Sequence, residues 1–341
     1  MTDSTGKTTN TINVKLLVLF FLAISAFLFS LHRGHVEISF NEIMAWLTKQ
    51  NMSDESAFLI STLRFPRTLA AFIIGATLGV CGLVFQTLLR NPLAEPYTLG
   101  LSGGSCLGAV AALTFSLEPP EFWIPTLSTV GCLSATLLVL GLGRKKLSFE
   151  SRSLILFGVM ISLFFSAAVV AGLSILSPQK LQTALFWLLG EFGTSRDIWI
   201  KSIGPVLVAG MLIILFKSRG LDALSLGEAR ALSLGFSPRK ERVVLILICT
   251  LLTALSVCIS GLVGFVGLVS PHLARKFLKT SRHHTLVIGS AFTGAILLTL
   301  ADSIARSALM TTEIPAGSIS ALIGAPVMIF LLLGYKNASV E

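Results

Sequence analysis

Runs of about 20 apolar residues recur along the whole 341-residue chain. A segment of this length crosses the hydrocarbon core of a bilayer as a helix, because a helix pairs its own backbone groups where water is absent. Hydrophobic residues make up 53% of the sequence and charged residues only 13%, a balance that excludes an ordinary soluble domain. The sequence therefore predicts an all-α, polytopic membrane protein with about ten transmembrane helices in one domain over residues 1–341.

The candidate spans follow from this length criterion. They are Leu16–Leu31, Leu69–Leu89, Leu99–Leu117, Trp123–Leu142, Ser153–Leu176, Ile198–Phe216, Val243–Ser260, Leu262–Phe277, Leu286–Leu309 and Ile314–Leu333. The first resembles a signal peptide, but it lacks a small-x-small cleavage site and many further runs follow it, so we interpret it as a span. The eighth contains Pro271 and several glycines, and we expect it to be short or broken.

Residues 32–67 are too polar to cross a membrane, and they predict an outer loop with a surface helix around Ile43–Leu47. Placing the amino terminus in the cytoplasm assigns most of the 26 lysines and arginines to cytoplasmic segments, as the positive-inside rule requires. The clearest basic segments are 144–146, 217–242 and 275–282. We therefore expect an inner-membrane protein with a short cytoplasmic tail (residues 1–14) and both termini in the cytoplasm.

The net charge of +9 would suggest a nucleic-acid partner in a soluble protein, but here the bases lie in short loops between apolar runs. We therefore predict that the chain contacts membrane lipid and has no nucleic-acid partner.

The sequence contains few candidate catalytic or metal-binding residues. The five cysteines lie inside apolar runs without a CxxC pair, and no histidine has a cysteine or carboxylate at ligand spacing within a span. We assign His283 and His284 to a basic cytoplasmic turn. Gly6-Lys7-Thr8 lacks the first glycine of a phosphate-binding loop and no strand precedes it. We predict no catalytic residue, metal or cofactor, so a membrane enzyme is the least favoured class, and any ATP used is hydrolysed on another subunit.

Ionisable residues at membrane depth are costly and mark candidate functional sites. Asp302 and Arg306 lie one helical turn apart near the outer end of the ninth span, where they either pair with each other or serve a function. A proton-coupled carrier usually needs carboxylates deeper in the bundle, and the sequence offers none that is convincing. An ion-coupled secondary transporter is therefore kept as the alternative class.

Several motifs along the chain form a more specific pattern. They are Arg64-Phe65-Pro66-Arg67, Asn91-Pro92-Leu93-Ala94-Glu95-Pro96, Leu99–Gly104, Gly261–His272, Leu300–Arg306, Glu313–Gly317 and Leu322–Pro326. In this order they resemble the permease subunits of iron–siderophore and vitamin B12 ABC importers, over most of the chain.

The resemblance implies the ABC type II importer permease fold and a homodimer or a heterodimer with a paralogue around a central path. It also implies two ATP-binding subunits in the cytoplasm and a substrate-binding protein that docks outside. The expected function is import of a ferric siderophore, with cobalamin or haem as alternatives within the family.

The resemblance also assigns residues to roles. Arg64, Arg67 and Arg306 match positions that dock the binding protein, although Arg64 and Arg67 could instead anchor the second span at the headgroups. Asn91 and Leu93, with Ser151 and Ser153, match the cytoplasmic gate.

The loop at about residues 218–240 matches the helices that couple the permease to its ATPase, and its length suits two short helices at the membrane surface. The matching positions are Gly227, Glu228, Arg230, Leu232 and Gly235. Leu232 stands where the family often has a basic residue.

Overall fold

The computed structural model describes residues 3–34, 36–50, 53–145, 151–192, 196–308 and 314–337. Every regular element in these ranges is a helix, which confirms the all-α prediction. Seven helical segments are long and apolar enough to cross a membrane.

The first part of the chain forms α1 (Asp3–His32), α2 (Phe40–Leu47), α3 (Asp54–Phe58), a π-helical segment (Leu59–Arg64) and α4 (Phe65–Leu89). α1 begins at Asp3, so residues 3–14 of the predicted tail belong to a helix. The predicted surface helix begins at Phe40, because the Ser39 side chain caps its first turn and Glu42 completes a capping box. α3 and the π-helical segment continue directly into α4, so the second span begins earlier in the chain than predicted, in a helical segment over Asp54–Leu89.

The middle of the chain forms α5 (Leu101–Thr114), α6 (Pro120–Lys145), α7 (Ser151–Ser174), α8 (Pro178–Leu188) and α9 (Arg196–Phe216). Two short helices follow, α10 (Ser218–Ser225) and α11 (Glu228–Ser233). The last four helices are α12 (Pro238–Ser260), α13 (Val266–Leu278), α14 (His283–Ser307) and α15 (Ala316–Asn337).

Each predicted span lies on one of these helices, namely α1, α4, α5, α6, α7, α9, α12, α13, α14 and α15. The eighth is short, as expected, because α13 has only 13 residues. The chain before it is irregular, with positive φ angles at Gly261 and Phe265. Irregular backbone at this depth is tolerated because protein surrounds it: Val263 within the irregular stretch and Val266 at the start of α13 are both buried.

α4 is the central helix of the bundle, and it packs against α9, α12, α13 and α14. Its glycines make this approach close. A Cβ atom on Gly75 would lie 2.3 Å from the carbonyl oxygen of Gly294, and one on Gly82 would lie 1.8 Å from that of Gly267. The spacing of small residues along the second span thus corresponds to backbone contact between helices.

The contact at Gly82 gives a test of this packing. Gly82→Ala forces a methyl group into the backbone of α13 and should destabilise the protein by about 1–3 kcal/mol or more, the usual cost of overpacking. Thermal unfolding in detergent measures the effect. Gly141→Ala in α6 is the matched control, since a Cβ there meets no atom within 4 Å. Equal unfolding midpoints for the two variants would contradict the packing described here.

Candidate functional site

The predicted gate residues lie in the connection between α4 and α5. Arg90 ends α4 with a left-handed backbone conformation (φ 47°), and the Asn91 side chain then accepts a hydrogen bond from the Leu93 backbone N–H at 2.9 Å. Asn91 therefore stabilises the turn, while the Leu93 side chain points away from the protein and is 52% exposed. We call residues 91–99 the gate segment.

The gate segment is held against α13 by polar contacts. His272 Nε2 lies 2.8 Å from the Pro92 carbonyl oxygen, and because a carbonyl only accepts, the ring nitrogen is the donor. One turn back, Gln86 at the end of α4 donates to the Leu268 carbonyl at 3.1 Å and accepts from Arg275 at 2.7 Å. α13 is thus attached to both the gate segment and the end of α4.

Glu95 attaches the gate segment to the irregular turn before α13. Its backbone N–H donates to the Thr98 hydroxyl at 2.9 Å, and its carboxylate accepts a hydrogen bond from the backbone N–H of Phe265. Burial raises the pKa of the Glu95 carboxyl above its ordinary value, and the Phe265 N–H opposes this shift. The phenol oxygen of Tyr97 lies 3.4 Å from the Val263 N–H, on the same turn.

α7 also reaches the gate segment. A Cβ atom on Gly158 would lie 2.5 Å from the Thr98 carbonyl oxygen, so the two backbones are in contact there. Ser151 is the first residue of α7, and its side chain lies outside the described part of the structure. Ser153, two residues later in the same helix, is partly exposed. The structure therefore brings α7 to the gate segment at Gly158.

The loop predicted to couple to an ATPase contains the two short helices expected there, α10 and α11. Positive φ angles at Gly227 (109°) and Gly235 (83°) end the two helices. Glu228 pairs with Arg242 at 2.9 Å and thereby fixes α11 to α12. Arg230 is exposed. The apolar side chains of the loop are exposed as well: Leu226 at 53%, Leu232 at 62% and Leu234 at 58%.

Two of the three predicted docking arginines, Arg67 near the start of α4 and Arg306 near the end of α14, meet at Asp302. The fully buried Asp302 carboxylate pairs with Arg67 at 2.9 Å and with Arg306 at 3.0 Å. Arg306 also donates to the Ser30 hydroxyl at 2.7 Å. The pairing of Asp302 with Arg306, one of the two sequence interpretations, is therefore present, and Arg67 joins it from a position 235 residues away.

Arg64 has a different environment. Its guanidinium group donates to the backbone carbonyls of Leu31 at 2.7 Å, His32 at 2.9 Å and Val36. The side chain is buried. Arg64 thus joins the end of α1 to the start of α4, and the docking role assigned to it stays a prediction.

Two buried histidines, His272 and His283, make contacts that were not predicted. His272 was not singled out, and no sequence signal joins it to Pro92, 180 residues away. His283 was predicted to belong to a basic cytoplasmic turn; it is buried and contacts α4 and α10. Within the described residues, no group of three or more His, Cys, Asp and Glu side chains could hold a metal ion.

These features define a multi-pass α-helical membrane permease. A family model, the FecCD transport family, matches residues 20–334. The chain is 36% identical over 321 residues to the vitamin B12 import system permease protein BtuC of Shigella flexneri, covering 93% of this chain and 94% of that protein. It is 35% identical over 279 residues to the uncharacterized ABC transporter permease protein YvrB of Bacillus subtilis, covering 81% and 78%.

A solved structure described as an inward-facing conformation of a metal-chelate type ABC transporter has a TM-score of 0.84 with this chain at 32% identity. That match covers 94% of this chain and 98% of the other. The chain therefore belongs to the FecCD transport family, and its fold is that of an ABC type II importer permease.

The buried carboxyl of Glu95 predicts a pH dependence. Because burial raises its pKa, the folded protein favours the protonated form, and the stability due to this proton is lost as the pH rises above the ordinary value of 4.5 through the raised pKa. Glu95→Gln keeps an acceptor oxygen but cannot ionise. The unfolding midpoint of the variant should therefore rise relative to wild type, by about 1–2 °C, as the pH increases.

Differential scanning fluorimetry in detergent from pH 4.5 to 8 makes this comparison. Glu55→Gln, at an exposed position of α3, is the matched control and should follow wild type at every pH. Parallel curves for Glu95→Gln and wild type would show that the Glu95 carboxyl does not titrate differently on folding.

Proposed function

We propose that this chain is the membrane-spanning subunit of an ABC importer that moves a ferric siderophore into the cytoplasm. The observation that carries the proposal is the likeness, over nearly the whole of both chains, to a structure described as a metal-chelate type ABC transporter. Import of cobalamin is the alternative within the family, and the 36% identity to a vitamin B12 import permease supports it. Haem is a further alternative within the family.

ATP hydrolysis is proposed to take place on two separate ATP-binding subunits that dock on the coupling loop from the cytoplasm. Large exposed apolar side chains outside the membrane favour a protein partner, and Leu226, Leu232 and Leu234 supply them in this loop. Gly227 and Gly235 set the direction of α11, whereas Glu228 holds it in place. Arg230 supplies a charged group on the exposed side.

Two copies of the chain, or one copy and a paralogue, are proposed to enclose the path for the cargo. The gate segment would close this path on the cytoplasmic side, with Leu93 as the exposed apolar group and Asn91 as the residue that shapes the turn. Ser151 and Ser153 at the start of α7 are proposed to belong to the same gate. Both termini are proposed to lie in the cytoplasm, on the side of the basic loops.

An extracytoplasmic substrate-binding protein is proposed to dock near Arg64, Arg67 and Arg306. Arg67 and Arg306 share a single carboxylate, Asp302, and Arg64 lies close enough to Arg306 for the two charges to interact. The group as a whole therefore carries a positive charge. Acidic residues on the binding protein would complement this field and increase the rate of encounter.

Uptake measurements test the function. Iron-starved cells with and without the gene are given radiolabelled ferric siderophores, haem and cobalamin, with the ATPase subunit intact. We expect the deletion to abolish uptake of one ferric siderophore and to leave the other cargoes unaffected. Loss of cobalamin or haem uptake instead would identify that cargo. Uptake that persists without the ATPase and stops when the proton gradient is collapsed at constant ATP would indicate an ion-coupled carrier.

The docking proposal gives a second prediction. Arg67→Gln removes the charge of the most exposed of the three arginines, whose side chain is 15% accessible, and leaves Asp302 paired with Arg306. The association rate of the binding protein should fall about tenfold at low salt, because steering by charge is lost, and less at high salt.

Surface plasmon resonance on the permease in nanodiscs measures this rate. Arg33→Gln is the matched control. Arg33 directly follows α1, and its side chain is exposed and paired with Glu37 rather than with Asp302. Equal rates for wild type and Arg67→Gln at low salt would remove Arg67 from the docking surface.

A further inference from the structure

A buried histidine at the cytoplasmic side joins the coupling loop to the helix that leads into the gate. His283 is the first residue of α14 and lies in a short connection with basic and polar neighbours. It is nevertheless only 5% exposed, while the adjacent His284 is exposed. The burial of a polar ring in such a connection requires hydrogen-bond partners.

On one side, His283 contacts α10. Oδ1 of Asp222 lies 2.7 Å from the ring Nδ1 and accepts a second hydrogen bond from the His283 backbone N–H at 2.9 Å. An ionised carboxylate can only accept, so Nδ1 carries a hydrogen in this contact. The carboxylate also sits at the amino-terminal end of α14, where the helix dipole favours a negative charge. α10 is thereby fixed to the first turn of α14.

On the other side, His283 contacts α4. The ring Nε2 lies 3.0 Å from the Thr87 hydroxyl, which itself donates to the Leu83 carbonyl at 2.8 Å. Burial lowers the pKa of the His283 ring and so favours its neutral form. In that form Nδ1 carries the only ring hydrogen, so Nε2 accepts from the Thr87 hydroxyl, whose single hydrogen is shared with the Leu83 carbonyl. Thr87 is three residues before Arg90, where α4 ends and the gate segment begins.

A second, weaker contact runs in parallel. Arg90 donates to the Leu224 carbonyl of α10 at 3.4 Å. The last turn of α4 is also held by Gln86, which contacts α13. The turn that precedes the gate is therefore attached to α10 through His283 and Arg90, and to α13 through Gln86.

We propose that His283 is a positioning residue that transmits displacement of α10 to the end of α4 and so couples the ATPase to the gate. The inference rests on the proposed function, because it requires that an ATPase subunit acts on the coupling loop. The imidazole ring is rigid and holds Asp222 and Thr87 at a fixed separation. A displacement of α10 should therefore displace the end of α4 by a similar distance. Contiguous contacts of this kind carry coupling when both ends have two arrangements.

The test uses the complete complex of permease, ATPase subunits and binding protein in proteoliposomes, with the cargo identified by the uptake measurements. The readout is the amount of cargo transported per ATP hydrolysed. His283→Ala should leave assembly and ATP hydrolysis close to wild type and reduce cargo per ATP about tenfold, the scale of a typical coupling energy. His284→Ala, at the adjacent exposed position, should match wild type.

Two variants of Thr87 test the same link without altering the histidine. Thr87→Val keeps the shape of the side chain but removes the hydroxyl and should lower cargo per ATP as His283→Ala does, whereas Thr87→Ser should restore it. His283→Asn keeps an amide near the Nδ1 position, so it retains the Asp222 contact and loses the one to Thr87. Adding it to Thr87→Val should therefore cause no further loss in a double-mutant cycle.

The outcomes separate the two proposals. No ATP-driven uptake by the wild-type complex would overturn the proposed function and this inference with it. With an active wild type, an unchanged ratio in His283→Ala and Thr87→Val would overturn the inference alone. So would a parallel fall in assembly, ATP hydrolysis and uptake in Thr87→Val, since that pattern indicates a purely structural role.

Discussion

Close backbone contact between α4 and its neighbours is the constraint on which the arrangement of the bundle depends. In a bilayer the hydrophobic effect does not drive one apolar helix against another, so helices associate through packing and polar contacts. Gly75 and Gly82 permit this packing because their lack of a side chain lets carbonyl oxygens of α14 and α13 approach α4 directly. The helices that carry Asp302, His272 and His283 are thereby placed around one central helix, with the gate segment at its end.

Polar side chains add further contacts between α4 and the helices that pack against it. Gln86, Glu95 and His272 attach the end of α4 and the gate segment to α13, and the Asp302 carboxylate joins α4 to α14 at the other end. Hydrogen bonds and ion pairs in apolar surroundings are costly to break. The gate segment and α13 are consequently expected to move together, whereas α10 and α11 lie outside this unit and contact it through a few side chains.

The sequence was sufficient to predict the helices because the length and apolarity of each span are local properties. The short eighth span was predictable from Pro271 and its glycines, and the Asp302–Arg306 pair from its spacing of four residues. The contacts of Arg67 with Asp302, of Glu95 with Phe265 and of His283 with Asp222 were not predictable, since each joins residues far apart in the chain. The burial of His283 shows the limit most clearly, because a basic, polar connection ordinarily indicates solvent exposure.

The environment of Arg64 has a consequence for sequence variation. Its partners are the main-chain carbonyls of Leu31, His32 and Val36, groups that every residue type possesses. Side chains such as that of Val36 can therefore change in evolution without loss of these contacts, whereas Gly34 is constrained, because a Cβ atom there would lie 2.9 Å from Nη2 of Arg64. The arginine cannot change, because a lysine has no planar fork of donors with which to reach three acceptors at once. A turn that varies except at Gly34, beside a fixed arginine, is the pattern that this arrangement would leave among relatives.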